Sequence, residues 1–486
     1  MKYPLTIASL LFAILLTVST SIAEEIQTNS SNKVEKPNVV IILVDDMGYG
    51  DPGCFNPDSK IPTPHIDQLA KEGMKFTDAH APGPLCHVSR YGLMTGRYPW
   101  RHQIRWNNNP VIAENRMTIA SFLKSQNYAT HMVGKWHLGF KEDPKFAGPL
   151  RGGPADRGFD TYFGIRASTD IPPYFYIRGT QAVMPPTDKI AANNTDGWSP
   201  IQGEFWRAGG IAPNLKLKEV LPRFTSEAIS VISDHAKSKS NQPMMLYLAY
   251  PAPHTPWLPT KEFVGKSKAG LYGDFMNMVD ANIGQVLNAL EKHSMKDNTL
   301  VFFSSDNGPV WYNKDVERFD HDSSGGLRGM KADAWECGHR MPFIARWPSK
   351  IKAGSESAQT ICFTDIFKTL GEMTGGAVPR GQAPDSVSFY KTLIGQQPDD
   401  RPHRKSLAIS AGRGHMMIRA GDWKLITGPG SGGFSKSPKK AAPGIPKGQL
   451  YNLKDDLGET HNLYEEMPAK VSELTQLLQT VKNQKD

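Results

Sequence analysis

Residues 37–46 read PNVVIILVDD. Six consecutive apolar residues, Val39 to Val44, run directly into two carboxylates. An amphipathic helix or a half-exposed strand would interrupt such a run with polar residues. A strand covered on both faces does not, and such strands belong to parallel sheets layered between helices. Similar runs recur as MMLYLAY (244–250) and LVFFSSDNG (300–308). Helical patterns lie between them, HIDQLAKEG (65–73) and LYGDFMNMVDANIGQVLNALEKH (271–293). This alternation predicts an α/β fold on a large, mostly parallel mixed sheet flanked by helices.

In such sheets, ligands bind beyond the carboxyl ends of the strands. Asp45 and Asp46 end one run, and Asp306 and Asn307 end another. His254 follows a third in PAPHTP, while Lys135 and His137 follow YATHMV in GKWHLG. Any one of these alone reads as a cap or a surface residue. Polar groups at four strand ends, in short Gly- and Pro-rich turns, predict a shared site. Asp45, Asp46, Asp306 and Asn307 offer only hard oxygen donors, which suit Ca²⁺ or Mg²⁺ rather than a zinc thiolate. Carboxylates crowded together repel, and a divalent cation lets them share the space.

Cys86 opens CHVSRYGLMTG, a plausible helix start, with Arg90 one turn further. Free N–H groups at a helix N-terminus favour an anionic or nucleophilic group there. Thiolate nucleophiles use this arrangement, but a buried structural cysteine fits the same local pattern. Lys135, His137, His254 and Lys331 add cations and proton carriers. Together these residues describe a pocket for a tetrahedral oxyanion.

Residues 1–23 have a lysine, an apolar run and the small-x-small ending Ser21-Ile22-Ala23, the pattern of a secretory signal peptide. Residues 24–36 read as a linker, 37–400 as the main domain and 401–486 as a smaller α+β subdomain. In the last, RAGDWKLITG reads as a strand, QLYNLKDDLGETHNL as a strand and turn, and 467–483 as an amphipathic helix. No later segment approaches a membrane span in length. Two irregular excursions, 170–225 and 309–326, interrupt the main domain. Trp198, Trp206 and Trp311 lie in them and Trp106 lies near a site-forming segment, to stack on sugar rings or to pack within long loops. The formal charge of +8 fits an anionic substrate. Without zinc-finger spacing or a dense basic stripe, nothing points to nucleic acid. The four cysteines form no CxxC pair, so this is no disulfide scaffold, although a pair could form in an oxidising compartment.

The motifs PNVVIILVDDMGYGD, TPHIDQLAKEGMKFTDAH, PLCHVSRYGLMTGRYPWR, GKWHLG, PHTP, FFSSDNG, LRGMKADAWECGHRMPFIARWP and QLYNLKDDLGETHNL together resemble the type I, formylglycine-dependent sulfatases. These are arylsulfatase-like proteins of the alkaline-phosphatase-like superfamily. The resemblance covers nearly the whole chain after residue 36. It implies hydrolysis of sulfate esters in a secreted or periplasmic protein, with a sulfated carbohydrate as expected substrate and aryl sulfates as surrogates. It also implies that a formylglycine-generating maturation enzyme converts Cys86 to Cα-formylglycine, whose hydrate is the nucleophile. One hydroxyl of that hydrate attacks sulfur, and the second later expels sulfate.

By the same resemblance Asp45, Asp46, Asp306 and Asn307 are Ca²⁺ ligands, with Mg²⁺ the lesser fit. Arg90 holds the hydrate, Lys135 and Lys331 bind sulfate oxygens, His137 assists sulfate release and His254 stands near the leaving group. Val88 departs from the family, which has Pro or Ala at that place in Cys-x-Pro-x-Arg. Two alternatives stay open: a phosphate or phosphonate ester hydrolase of the same superfamily, and an inactive binder of sulfated glycans. Val88 motivates the second, and the retention of His137, His254 and the acidic set weighs against it.

Overall fold

β1 (Asn38–Asp45) is buried from Val39 onward, as a strand apolar on both faces must be. The computed structural model describes residues 36–486 except 103, 105–108, 144, 239, 399 and 485–486. The expected signal peptide, most of the linker and Trp106 lie outside the described residues. From Pro37 onward the chain forms one unit. β2 (Met74–His80), β3 (Ala129–Lys135), β4 (Thr161–Ile165), β5 (Ile177–Arg178) and β6 (Gln181–Ala182) join β1 in one sheet. β7 (Asp188–Ile190) and β8 (Gly209–Ile211) form a separate ribbon. The main sheet continues with β9 (Met244–Pro253), β10 (Thr299–Ser305), β11 (Arg340–Arg346), β12 (Ser355–Ser357) and β13 (Ile361–Cys362).

At the sheet's centre the order β10-β1-β9-β3-β4 is parallel throughout. Val44 pairs with Ser305, and Asp45 with Pro253. The carboxyl ends of these strands therefore emerge along one edge. β11 runs antiparallel to β10 and β2, which makes the sheet mixed. Helix Gly270–Lys292 packs on helices Pro64–Glu72 and Val220–Lys237, and it and Val220–Lys237 also pack on β9. Helices Cys86–Thr95, Ile119–Ser125 and Ile366–Thr374 form a second packed group. Asp280 accepts the backbone N–H groups of His65 and Ile66 at 3.2 and 2.8 Å. A side chain from one helix thus caps the open N-terminus of another.

β14 (Leu407–Ser410), β15 (Met416–Ala420), β16 (Trp423–Ile426) and β17 (Gln449–Asn452) form a small antiparallel sheet. The single strand expected over RAGDWKLITG is a hairpin instead. Gly421 adopts φ +56° and, with Asp422, turns the chain between paired Ala420 and Trp423. Terminal helix Pro468–Asn483 packs on β15 and β16, with Leu474 and Leu478 buried. A buried ionic network ties the two sheets together. Asp78 on β2 accepts from His80, Arg340 and Arg419 at 2.8, 2.8 and 2.6 Å. Lys424 pairs with Glu336 and Glu459 at 2.9 and 2.8 Å.

The excursions contain more structure than their composition suggests. The first includes β5 to β8 and gives way to helix Val220–Lys237, so its last residues are helical. The second holds the short helix Asn313–Phe319. Trp198 meets Trp257 edge-on at 4.8 Å and stacks on Phe319 at 5.6 Å. Trp311 is buried beside Tyr272, with ring centroids 5.0 Å apart. These two rings pack the loops together, the second of the two roles anticipated for them.

Candidate active site

The parallel centre of the sheet delivers Asp45, Asp306, Asn307, His254 and Lys135 to one edge, because each ends or directly follows a parallel strand. Asp46 and His137, just beyond β1 and β3, are left-handed at φ 64° and 59°. Such non-glycine conformations cost about 1–3 kcal/mol each and gather at functional sites. The Asp46 turn is held by close packing. A Cβ on Gly48 would sit 1.9 Å from the Ser323 carbonyl oxygen. Asp51 accepts the Gly48 N–H at 2.6 Å and also binds His321 and the Tyr272 hydroxyl.

A buried charge cluster forms the floor and part of the lining of the site. Arg90 donates Nε to Asp306 Oδ2 at 2.8 Å and Nη1 to the Lys135 carbonyl at 3.1 Å. Lys135 Nζ binds Asp45 Oδ2 and reaches Ser168 Oγ at 2.6 Å. Lys331 Nζ lies 2.6 and 2.7 Å from the two oxygens of Asp46. Asn307 Nδ2 donates to Asp46 Oδ1 at 2.6 Å. Burial pushes the Asp306 carboxyl up, and Asp45's charge adds to it. Burial pushes Asp45 the same way, but the charges of Lys135, His254, Arg90 and Lys331 hold it well below the usual range.

Two oxygens in this cluster, Asp45 Oδ1 and Asn307 Oδ1, are buried without a hydrogen-bond partner among the described residues. An orphaned buried acceptor is costly, and a hard divalent cation would satisfy both. The donor set therefore fits such an ion. Asp45, Asp46, Cys86 and His254 bring ligand-type atoms within 4.8 Å of one another.

Cys86 is the first residue of helix Cys86–Thr95 and is 4% exposed. Burial raises its thiol pKa, and the Asp45 charge raises it further. An unmodified Cys86 is thus a protonated thiol, despite its place at a helix N-terminus. Val88 lies in the same first turn. The first helical bond runs from Ser89 N–H to the Leu85 carbonyl at 3.0 Å, so the N–H of Val88 lies outside the helix ladder. Val88 Cγ2 packs over Gly83, where a Cβ would stand 2.6 Å away. The folded chain accommodates valine at this place.

Burial lowers the pKa of His137 well below the usual value, and the nearby Lys135 charge lowers it further, leaving a neutral ring. Burial with Lys135 and Lys331 likewise lowers His87, to about 4. The two rings lie 5.9 Å apart. His254 Nδ1 donates to the Thr255 carbonyl at 2.6 Å, so Nε2 is the atom turned toward Asp46, 3.6 Å away. Burial lowers the Lys331 ammonium pKa, but the Asp46, Cys86 and Asp45 charges more than compensate and keep it cationic.

Asp46, Cys86, His137, His254 and Lys331 all line one cavity of about 220 Å³. Arg90, Lys135, Asp45, Asp306 and Asn307 support it from below. All ten candidate residues named from the sequence thus come together. The cavity also takes His87, Ser168, Asp170, Arg207 and Phe434, which sequence reasoning missed. His87 was the one within reach, as the residue after Cys86. The others sit in irregular segments with no periodicity to set their direction. All four cysteines are free.

The sequence matches the Sulfatase family over residues 37–376. It is 33% identical to an N-acetylgalactosamine-6-O-sulfatase of Bacteroides thetaiotaomicron, over 94% of this chain and 96% of the relative. It is 30% identical to human steryl-sulfatase, over 82% of this chain and 77% of that one. A solved Bacteroides thetaiotaomicron structure from work on the metabolism of multiple glycosaminoglycans superposes with a TM-score of 0.80. Its identity is 31%, over 93% of this chain and 100% of the other. With this match, and with the cavity and its charge cluster at the strand ends, the chain belongs to the sulfatase family and is a sulfuric ester hydrolase.

Proposed function

We propose that this enzyme removes sulfate from sulfated carbohydrates, with position 86 in the formylglycine form and Ca²⁺ held by Asp45, Asp46, Asp306 and Asn307. The observation that carries this reading is the convergence of Cys86, His137, His254 and Lys331 on one cavity above orphaned oxygen ligands. When formed, the formylglycine hydrate supplies the oxygen nucleophile for sulfur, and the cation supplies Lewis-acid charge. Lys331 and Lys135 neutralise sulfate oxygens as negative charge shifts onto them. His254 Nε2 is placed to give a proton to the departing alcohol oxygen, because Nδ1 is committed to Thr255. His137, neutral in its buried position, is able to accept a proton during sulfate release.

The names of the Bacteroides relative and structure support a carbohydrate substrate, whereas the steryl-sulfatase likeness supports only the ester chemistry. Among the described residues no helix is long and apolar enough to cross a membrane. The signal-peptide pattern over residues 1–23 supports export to the periplasm or outside the cell, and the resemblance of the Cys86 segment to the family supports its maturation by a formylglycine-generating enzyme. The catalytic domain is assigned to 37–400 and the smaller subdomain to 401–486.

The test is a panel comprising 6-O-sulfated N-acetylgalactosamine, 4-nitrophenyl sulfate, a steryl sulfate and a phosphate monoester. Sulfate release from the sugar with the highest kcat/KM is expected. Turnover only of the steryl ester, or preferred release of phosphate, would overturn the reading.

Metal addition gives a separate prediction. Calcium at about 100 times its Kd is expected to stabilise the chain by about 2.7 kcal/mol, read as a rise in Tm that a chelator reverses. An Asp45→Ala, Asn307→Ala double variant should lose that rise. A full rise in the double variant would place the ion elsewhere.

A further inference from the structure

We propose that Asp170 and Arg207 form a clamp for two neighbouring hydroxyls of the sugar that carries the sulfate ester. The proposal rests on the carbohydrate reading and adds the residues that select the sugar. Both line the cavity with His254, and Asp170 stands beside that ring. Asp170 follows β4 and is 4% exposed. Its Oδ2 accepts from Arg207 Nη1 at 2.5 Å. Its Oδ1 is buried without a hydrogen-bond partner among the described residues.

The His254 ring stands beside Oδ1, with Nδ1 3.9 Å away. That Nδ1 proton is already given to the Thr255 carbonyl. Among the described residues Oδ1 is therefore a buried acceptor without a donor, which is costly unless a ligand O–H supplies one. Arg207 comes from the first excursion, with its side chain about half exposed and its guanidinium over the Phe205 ring at 5.0 Å. Its hydrogen bonds run through Nη1, to the Asp170 carboxylate and carbonyl. Among the described residues the other N–H groups of the fork make no hydrogen bond and face no competitor for a ligand.

A lone arginine here would suit a sulfate oxygen. An arginine neutralised by a carboxylate does not, and the Asp170 charge repels an anion. What matches an acceptor beside donors is a pair of adjacent hydroxyls. One O–H donates to Oδ1, and the neighbouring oxygen accepts from the guanidinium. The clamp flanks His254, on the side where the alcohol part of the ester would lie. Neither an aryl nor a steryl sulfate carries such a hydroxyl pair.

The test measures binding rather than turnover, so it does not depend on maturation of Cys86. Full-length Cys86→Ala protein, loaded with Ca²⁺, is titrated with 6-O-sulfated N-acetylgalactosamine and with 4-nitrophenyl sulfate. Asp170→Asn and Arg207→Met are added singly and together. Each single change is expected to raise the ratio of the sugar Kd to the nitrophenyl sulfate Kd by about 10-fold to 100-fold. The double change should cost little beyond the larger single one, because the two residues act as one unit.

Equal weakening of both ligands would mean that the pair only shapes the site or positions His254, and would overturn the clamp. Unchanged sugar binding would overturn it as well. Either result leaves the sulfatase reading standing. A Cys86→Ala parent that binds neither ligand would overturn the carbohydrate reading and the clamp with it.

Discussion

Cys86→Ala is expected to lower sulfate-ester turnover by roughly 10⁴-fold or more, the scale of losing a nucleophile from a cooperating set. Position 86 opens the helix and faces the cavity with Lys331 and His254. In the proposed chemistry no other side chain there takes over its attack. Lys331 is held cationic by the Asp46 charge and so has no free electron pair to attack with, Lys135 is fully buried against Asp45, and His137 is assigned to proton transfer. The fold should tolerate the change, since only one sulfur is removed and the surrounding charges pair among themselves. Urea unfolding should show a loss of about 1 kcal/mol. Wild-type turnover in Cys86→Ala would assign the attack to another group.

Arg90→Met is expected to cost about 3–5 kcal/mol of stability, the usual result of breaking a buried ion pair by removing one partner. Arg90 is fully buried. It touches Asp306 through Nε and Nη2, both at 2.8 Å from Oδ2, and stands 3.9 Å from Asp45. Methionine fills much of the volume but leaves Asp306 without its cation. The deficit should depend on pH in a defined direction. Burial and the Asp45 charge already push the Asp306 carboxyl up, and losing Arg90 pushes it further. A group with a raised folded pKa binds its proton more tightly when folded, so the stability it contributes is lost as pH rises. The deficit should therefore be smaller near pH 5 than near pH 8 when measured without metal, and Ca²⁺ should reduce it at pH 8. A deficit independent of pH and metal would mean that Arg90 acts by packing alone.

The sheet's centre was legible because burial on both faces leaves an uninterrupted apolar run, as in Val39–Val44 and Met244–Tyr250. The site was legible for a related reason. Parallel strands place their carboxyl ends on one edge, so Asp45, Asp306, His254 and Lys135 converge once the strands are known. Other parts depend on partners distant in sequence. Arg419 and Asp78 form a buried contact across 341 residues, and no local pattern marks either one. Asp170 and Arg207 come from segments without periodicity, where composition gives no direction to a side chain. The hairpin within RAGDWKLITG was missed because its turn is only two residues long and the flanking residues read as one strand. The role of Val88 divides between two states of the chain. The folded helix accepts valine, and the resemblance places the preference for proline in recognition of the unfolded segment by the maturation enzyme.

The central claim, that position 86 becomes the nucleophile by conversion to formylglycine, is tested most directly by the mass of one peptide. Trypsin cleavage after Lys75 and Arg90 releases FTDAHAPGPLCHVSR from protein exported by its native host. Formylglycine is expected at position 86 in preparations that release sulfate, with activity proportional to the converted fraction. A preparation that releases sulfate at full rate while carrying only the unmodified thiol would contradict it.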